Sequence, residues 1–172
     1  MKYTSAEANK LLRKLNERKA SVLRLEECSK TFQAAVGEDV ETVRPDYCYR
    51  AVQTELDQID RQILKIKHAV NLFNVQTKIP GFDLTIDQAL VYMAQLSNSV
   101  NKLSEMKDRL PKQRLGASGF GRSSVPVIEY DYANYDISQA AADFTEKSDI
   151  LAKLQTALDL LNNTESFEID VE

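Results

Sequence analysis

Residues 52–73 read V-Q-T-E-L-D-Q-I-D-R-Q-I-L-K-I-K-H-A-V-N-L-F. Val52, Leu56, Ile59, Ile63, Ile66, Val70 and Phe73 recur at steps of 4-3-4-3-4-3. Glu55, Asp57, Asp60, Arg61, Lys65 and Lys67 fill the gaps, a solvated set. An apolar period of 3.5 sustained over three heptads predicts a long helix whose seam packs against another helix. The seven seam positions are the candidate interface residues of this chain.

The elements on either side follow from this helix. Pro45 stands where a helix can start without loss, because its missing N–H has no partner in a first turn. Upstream, Thr4 and Glu7 have capping-box spacing. Ala8, Leu11, Leu15, Val22, Leu25, Phe32 and Val36 continue a seam that Gly37 ends, glycine being a common residue just past a helix. The spacing therefore predicts an antiparallel helical hairpin over 4–74. Each helix would run about 40–50 Å at 1.5 Å per residue. A compact domain of 100 residues has a radius of about 13 Å, so a single elongated domain is expected.

Downstream, Pro80-Gly81 marks a turn, and Thr85 with Gln88 repeats the capping-box pattern. A third helix is expected over 85–110, carrying Ala89, Met93, Leu96, Val100, Leu103 and Leu110 before Pro111. Residues 111–124 read as a flexible basic Gly/Ser loop. Residues 125–133 alternate as a strand does, with Pro126 suggesting an edge. Asp136 opens a fourth helix over 136–163, and 166–171 (S-F-E-I-D-V) alternate again as a short strand or tail. If these two strands pair, Glu129 and Asp131 would oppose Glu168 and Asp170, at some cost. The expected fold is mainly α: a long antiparallel coiled-coil hairpin, two further helices in a bundle and a small two-stranded β element in the C-terminal half.

Residues 116–123, G-A-S-G-F-G-R-S, approach the spacing of a phosphate-binding loop. That loop works because a buried strand delivers the chain and a helix N-terminus receives it, so backbone N–H groups and the helix dipole converge on phosphate. Here a helix precedes the glycines and a strand follows. Arg122 stands in place of the lysine, and the two differ in shape. A linker explains the composition better. Lys112, Arg114 and Arg122 keep it soluble and are the candidate contacts for an anion or an acidic partner.

The chain of 172 residues has net charge −4, with 43% hydrophobic and 28% charged residues, the balance of a soluble globular protein. Residues 1–30 hold 8 basic and 4 acidic side chains, whereas residues 123–172 hold 2 and 11. Basic and acidic parts can meet within a protomer or across an oligomer. Alternatively, the basic helix faces can take RNA or another polyanion. No window approaches the ~20 apolar residues of a membrane helix, and the start M-K-Y-T-S has no apolar signal core. A cytoplasmic protein without a transmembrane segment is expected. A hairpin centred near Glu41 sets Cys28 against about residue 54, too far from Cys48 for a disulfide, so two reduced, semi-buried thiols are predicted. His68 is the single histidine, off the seam and without a partner at metal spacing. The tyrosines at 47, 49, 130, 132 and 135 suit packing. No catalytic residue, metal site or cofactor is expected.

N-L-F-N-V-Q-T followed by P-G-F-D-L-T-I-D-Q-A-L resembles the turn segment of septicolysin-like proteins, bacterial helical proteins without an established activity. Asn74, Thr77, Leu84, Thr85, Ala89 and Leu90 carry the resemblance. R-S-S-V-P-V-I-E-Y-D-Y-A-N-Y-D-I and Asn162-Asn163-Thr164 are similar to that family's second half. The chain departs from it at Val91-Tyr92-Met93 and in having no Trp after Asn162. The resemblance implies a helical protein, and its name implies a cytolysin-like, membrane-active role. The residues supply neither an apolar helix nor a membrane strand of ~10 alternating residues. The expected function is non-enzymatic: a protein–protein interaction or scaffold protein, self-associating as a homo-oligomer through its coiled-coil helices, with a further protein partner unknown.

Overall fold

The computed structural model describes residues 1–114 and 129–170. Five helices hold 69% of the described residues, with two small two-stranded antiparallel sheets beside them. This is the mainly helical class that the apolar spacing predicts. The chain divides into two compact units.

The first unit comprises Met1–Thr77 and Asp159–Glu172. It holds β1 (Lys2–Thr4), α1 (Ser5–Ser29), the short α2 (Val40–Val43) and α3 (Tyr49–Gln76). The last turn of a later helix and strand β4 (Ser166–Glu168) complete it. At α1 the capping box forms as expected: Glu7 N–H donates to Thr4 Oγ1 at 3.2 Å, and Thr4 N–H donates to Glu7 Oε2 at 2.9 Å. Helices α1 and α3 pack antiparallel: Gln53, near the start of α3, meets Glu26, near the end of α1, and seven residues further along α3 Asp60 meets Lys19, seven residues back along α1. Between them lies a core of Ala8, Leu15, Ile59 and Ile66, closed at one end by Ile169. Ile59 and Ile66 are fully buried, and each such side chain contributes about 1.5–3 kcal/mol relative to exposure.

The α1 seam stops short of its expected end. Helix α1 ends at Ser29 rather than at Gly37, where Lys30 N–H donates to Glu26 O. Leu25, Phe32 and Val36 keep heptad spacing but are exposed. The reason lies across the hairpin. Instead of an apolar residue, Tyr47 Oη and Gln53 Nε2 meet this region, both donating to Glu26. An apolar edge with no apolar counterpart gains nothing by staying helical. Gly37 does adopt a left-handed φ of +91°, but in a turn within the connection. Helix α3 starts at Tyr49, four residues after Pro45, with Cys48 as its cap. Cys28 and Cys48 are both free and exposed, not semi-buried.

The β elements also differ from expectation. The described parts of the two stretches, 129–133 and 166–170, do not pair with each other. β4 pairs with β1 at the opposite end of the sequence, in the register Lys2↔Glu168, Tyr3↔Phe167, Thr4↔Ser166. Ile169 N–H donates to Met1 O at 2.9 Å, and the Met1 ammonium donates to Ile169 O at 3.2 Å. The feared opposition of Glu129 and Asp131 to Glu168 and Asp170 therefore does not arise.

The second unit spans Lys78–Leu158. Ile79-Pro80-Gly81-Phe82 is a turn closed by Phe82 N–H to Ile79 O at 3.1 Å. It leads to α4 (Ile86–Lys107), where Gln88 Oε1 accepts from Thr85 N–H. β2 (Lys112–Arg114) pairs with β3 (Tyr130–Tyr132), so the start of the expected loop is a strand. The rest of that loop, 115–124, lies outside the described residues, as do 125–128. α5 (Ile137–Thr164) opens on Asp136, whose Oδ1 accepts from the N–H groups of Ser138 and Gln139. The stripe positions Leu154, Leu158 and Leu161 are buried.

Candidate functional site

The candidate interface residues are used inside the chain. Leu56, Ile59 and Ile66 are buried, and Val52, Ile63, Val70 and Phe73 are half-buried. Helix α1 and the β4 segment supply the cover for the core part of the seam. The core of the seam is thus covered within the chain, while Val52, Ile63, Val70 and Phe73 keep part of their surface exposed.

The opposite face of α3 is different. Leu64 is 70% exposed, Leu72 49% and Val75 57%. At 100° per residue these three fall within a face about 80° wide, on the side of the helix turned away from the seam. His68, also exposed, lies between Leu64 and Leu72 on the same face. The signal was present in the sequence, because steps of eight and three also return a residue to one face. The stronger seam on the other face masked it.

A groove of about 450 Å³ borders this stripe, between the second half of α3 and β4. Its floor is apolar: Phe73 and Phe167 stack with centroids 4.5 Å apart, next to Leu72 and Ala69. Its rim is charged: Lys65, His68, Glu168 and Asp170. Lys65 Nζ reaches Asp170 Oδ2 at 3.4 Å across it. Sequence reasoning assigned the strand but not the groove, because α3 and β4 are about ninety residues apart in the chain and nothing local joins them.

The basic candidates are partly occupied. Lys112 Nζ sits 4.0 Å from the ring centroid of Tyr130 and 5.4 Å from that of Tyr132, within cation–π range. Arg114 lies opposite Tyr130 in the β2–β3 register. Arg109 and Asp131 form an ion pair beside them. Arg122 lies outside the described residues. Lys112 and Arg114 are thus brought to one ribbon, where Tyr132 and Tyr130 stand opposite them in the register.

Among the described residues, three groups have displaced pKa values. The Asp83 carboxyl is held below its usual range by the hydrogen bond from Lys78 and then by its charge. The Lys30 ammonium is raised by its hydrogen bond to Glu27. Desolvation, followed by the bond to Glu26, raises the Tyr47 hydroxyl. None of the three lines the groove. Among the described residues, no group of three His, Cys, Asp or Glu side chains is placed to hold a metal ion. No helix among them is long and apolar enough to cross a membrane.

No family model matches the chain, and no curated protein matches it. It is similar to a solved structure, a functionally unknown conserved protein from Corynebacterium diphtheriae. The two are 18% identical over 98% of this chain and 100% of that one, with a TM-score of 0.62. At that identity the likeness concerns the fold alone.

Proposed function

We propose that this chain is a non-enzymatic interaction protein that self-associates through the outer face of α3. The single observation that carries this reading is the bare stripe of Leu64, Leu72 and Val75, on a helix whose other apolar face is already covered. A second copy is a suitable cover. An isologous pairing of two antiparallel α3 helices sets Leu64 of one against Val75 of the other, with His68 near the centre and Leu72 one turn from it. The reading rests on this face and not on the septicolysin-like resemblance. A cytoplasmic location belongs to the same proposal, since two exposed free thiols, Cys28 and Cys48, suit a reducing compartment.

Sedimentation velocity across a concentration series tests it. The expected result is a mass above the 19.5 kDa monomer that falls to the monomer in Leu64→Glu/Val75→Glu with helicity unchanged. A monomer at every concentration overturns it.

A second reading has one observation in its favour. Lys10, Arg13 and Lys14 line a shallow depression on α1, and among the described residues neither lysine has an ion-pair partner. Such a cluster suits RNA or another polyanion. Binding of a labelled RNA that weakens steeply with salt, and is lost in Lys10→Ala/Lys14→Ala, supports it; salt-independent or absent binding removes it.

A further inference from the structure

Among the described residues the β1–β4 ribbon has two strands, so β4 has one edge without a described strand partner. The register decides which backbone groups lie along it. Met1 and Ile169 exchange both backbone bonds. In an antiparallel ladder such pairs alternate with pairs that exchange none. Tyr3 and Phe167 are therefore also a bonded pair, while Ser166, Glu168 and Asp170 turn their N–H and C=O groups away from β1. No described residue takes these groups up. Glu168 and Asp170 also line the apolar groove beside α3. The open edge and the groove are therefore one continuous surface.

Its charge selects the occupant. Glu165, Glu168 and Asp170 are all exposed along this segment. Among the described residues Glu165 and Glu168 form no ion pair within 4 Å, although Lys2 stands opposite Glu168 across the ribbon, and Asp170 meets Lys65. A second copy of β4 laid edge to edge would bring these acids against their own kind, which is destabilising. A strand with basic residues at alternate positions would face them favourably. Its other residues would point to the same side as Phe167, onto Phe73 and Leu72 in the groove.

We infer that the free edge of β4 and the groove beside α3 bind an extended peptide of alternating apolar and basic residues, which adds a third strand to the ribbon. Main-chain bonds to residues 166–170 supply affinity, and the groove and the acids read alternate side chains. This surface goes beyond the self-association through Leu64 and Val75.

Fluorescence anisotropy of the full chain with two labelled peptides tests it: a hexapeptide of alternating valine and lysine, and its counterpart with glutamate for lysine. The lysine peptide is expected to bind and the glutamate peptide to bind at least about tenfold more weakly. Glu168→Lys/Asp170→Lys, both at exposed positions, should reverse that preference. Methylating every backbone nitrogen of the lysine peptide should abolish binding, because a strand without N–H donors on either edge cannot extend a sheet. Equal binding of both peptides, binding unaffected by methylation, or no binding overturns the inference. In Leu64→Glu/Val75→Glu the peptide should still bind, so failure of this site and failure of self-association are read separately.

Discussion

Gly81 occupies the third position of Ile79-Pro80-Gly81-Phe82 with φ +82°, the geometry of a type II turn with proline second. A Cβ added there would meet nothing within 4 Å, so the cost of a side chain is conformational and not steric. Gly81→Ala should lower stability by about 1–2 kcal/mol, and Gly81→Asn by less, read from denaturant midpoints. Just beyond the turn, Lys78 Nζ meets Asp83 at 2.6 Å and holds its carboxyl below the ordinary value of 3.8. A depressed acid stabilises the fold above its unfolded pKa, and that contribution disappears as pH falls through the folded one. The pair is exposed, so the effect on stability is small, but the titration is readable. By NMR the Asp83 carboxyl should titrate at higher pH in Lys78→Ala than in the parent chain; unchanged titration would count against the pair.

Among the elements, the α1–α3 hairpin separates what holds from what decorates. Arg18–Glu55 and Lys19–Asp60 bridge the helices at exposed or half-exposed positions. A double-mutant cycle on Arg18 and Glu55 should return less than about 1 kcal/mol, because such pairs are screened and pay side-chain entropy. The seam matters more, and only as far as Val22. Leu15→Ala should cost about 2–4 kcal/mol, because it opens a cavity in the core. Leu25→Ala should stay within about 0.5 kcal/mol at a position 66% exposed. The α3 helix was readable because its period is local and unbroken. The end of α1 was not: Leu25, Phe32 and Val36 have the right spacing, but a seam needs an apolar counterpart, and Tyr47 and Gln53 stand opposite. β1 was missed because three residues carry no usable period, and its partner lies at the other end of the chain.

For the whole molecule, self-association carries a thermodynamic signature. If two copies bury the outer face of α3 only when folded, mass action makes Tm rise with protein concentration. In Leu64→Glu/Val75→Glu that dependence should vanish; a Tm independent of concentration in the parent chain would argue against a dimer. The stripe and the groove were only half readable from residues. Leu64, Leu72 and Val75 share a helix face by spacing alone, but whether that face is covered depends on where the other elements go.

By itself the sequence determined the helical class, the seam of α3, the capped starts of α1 and α4 and the turn at Pro80-Gly81. Each of these follows from interactions between residues a few positions apart. Only the tertiary structure decided that the seam is covered within the chain, that β4 pairs with β1, and that a groove with an open strand edge lies beside α3. Those outcomes depend on contacts between distant segments. Such contacts are set by which apolar faces meet, and no local pattern encodes that choice.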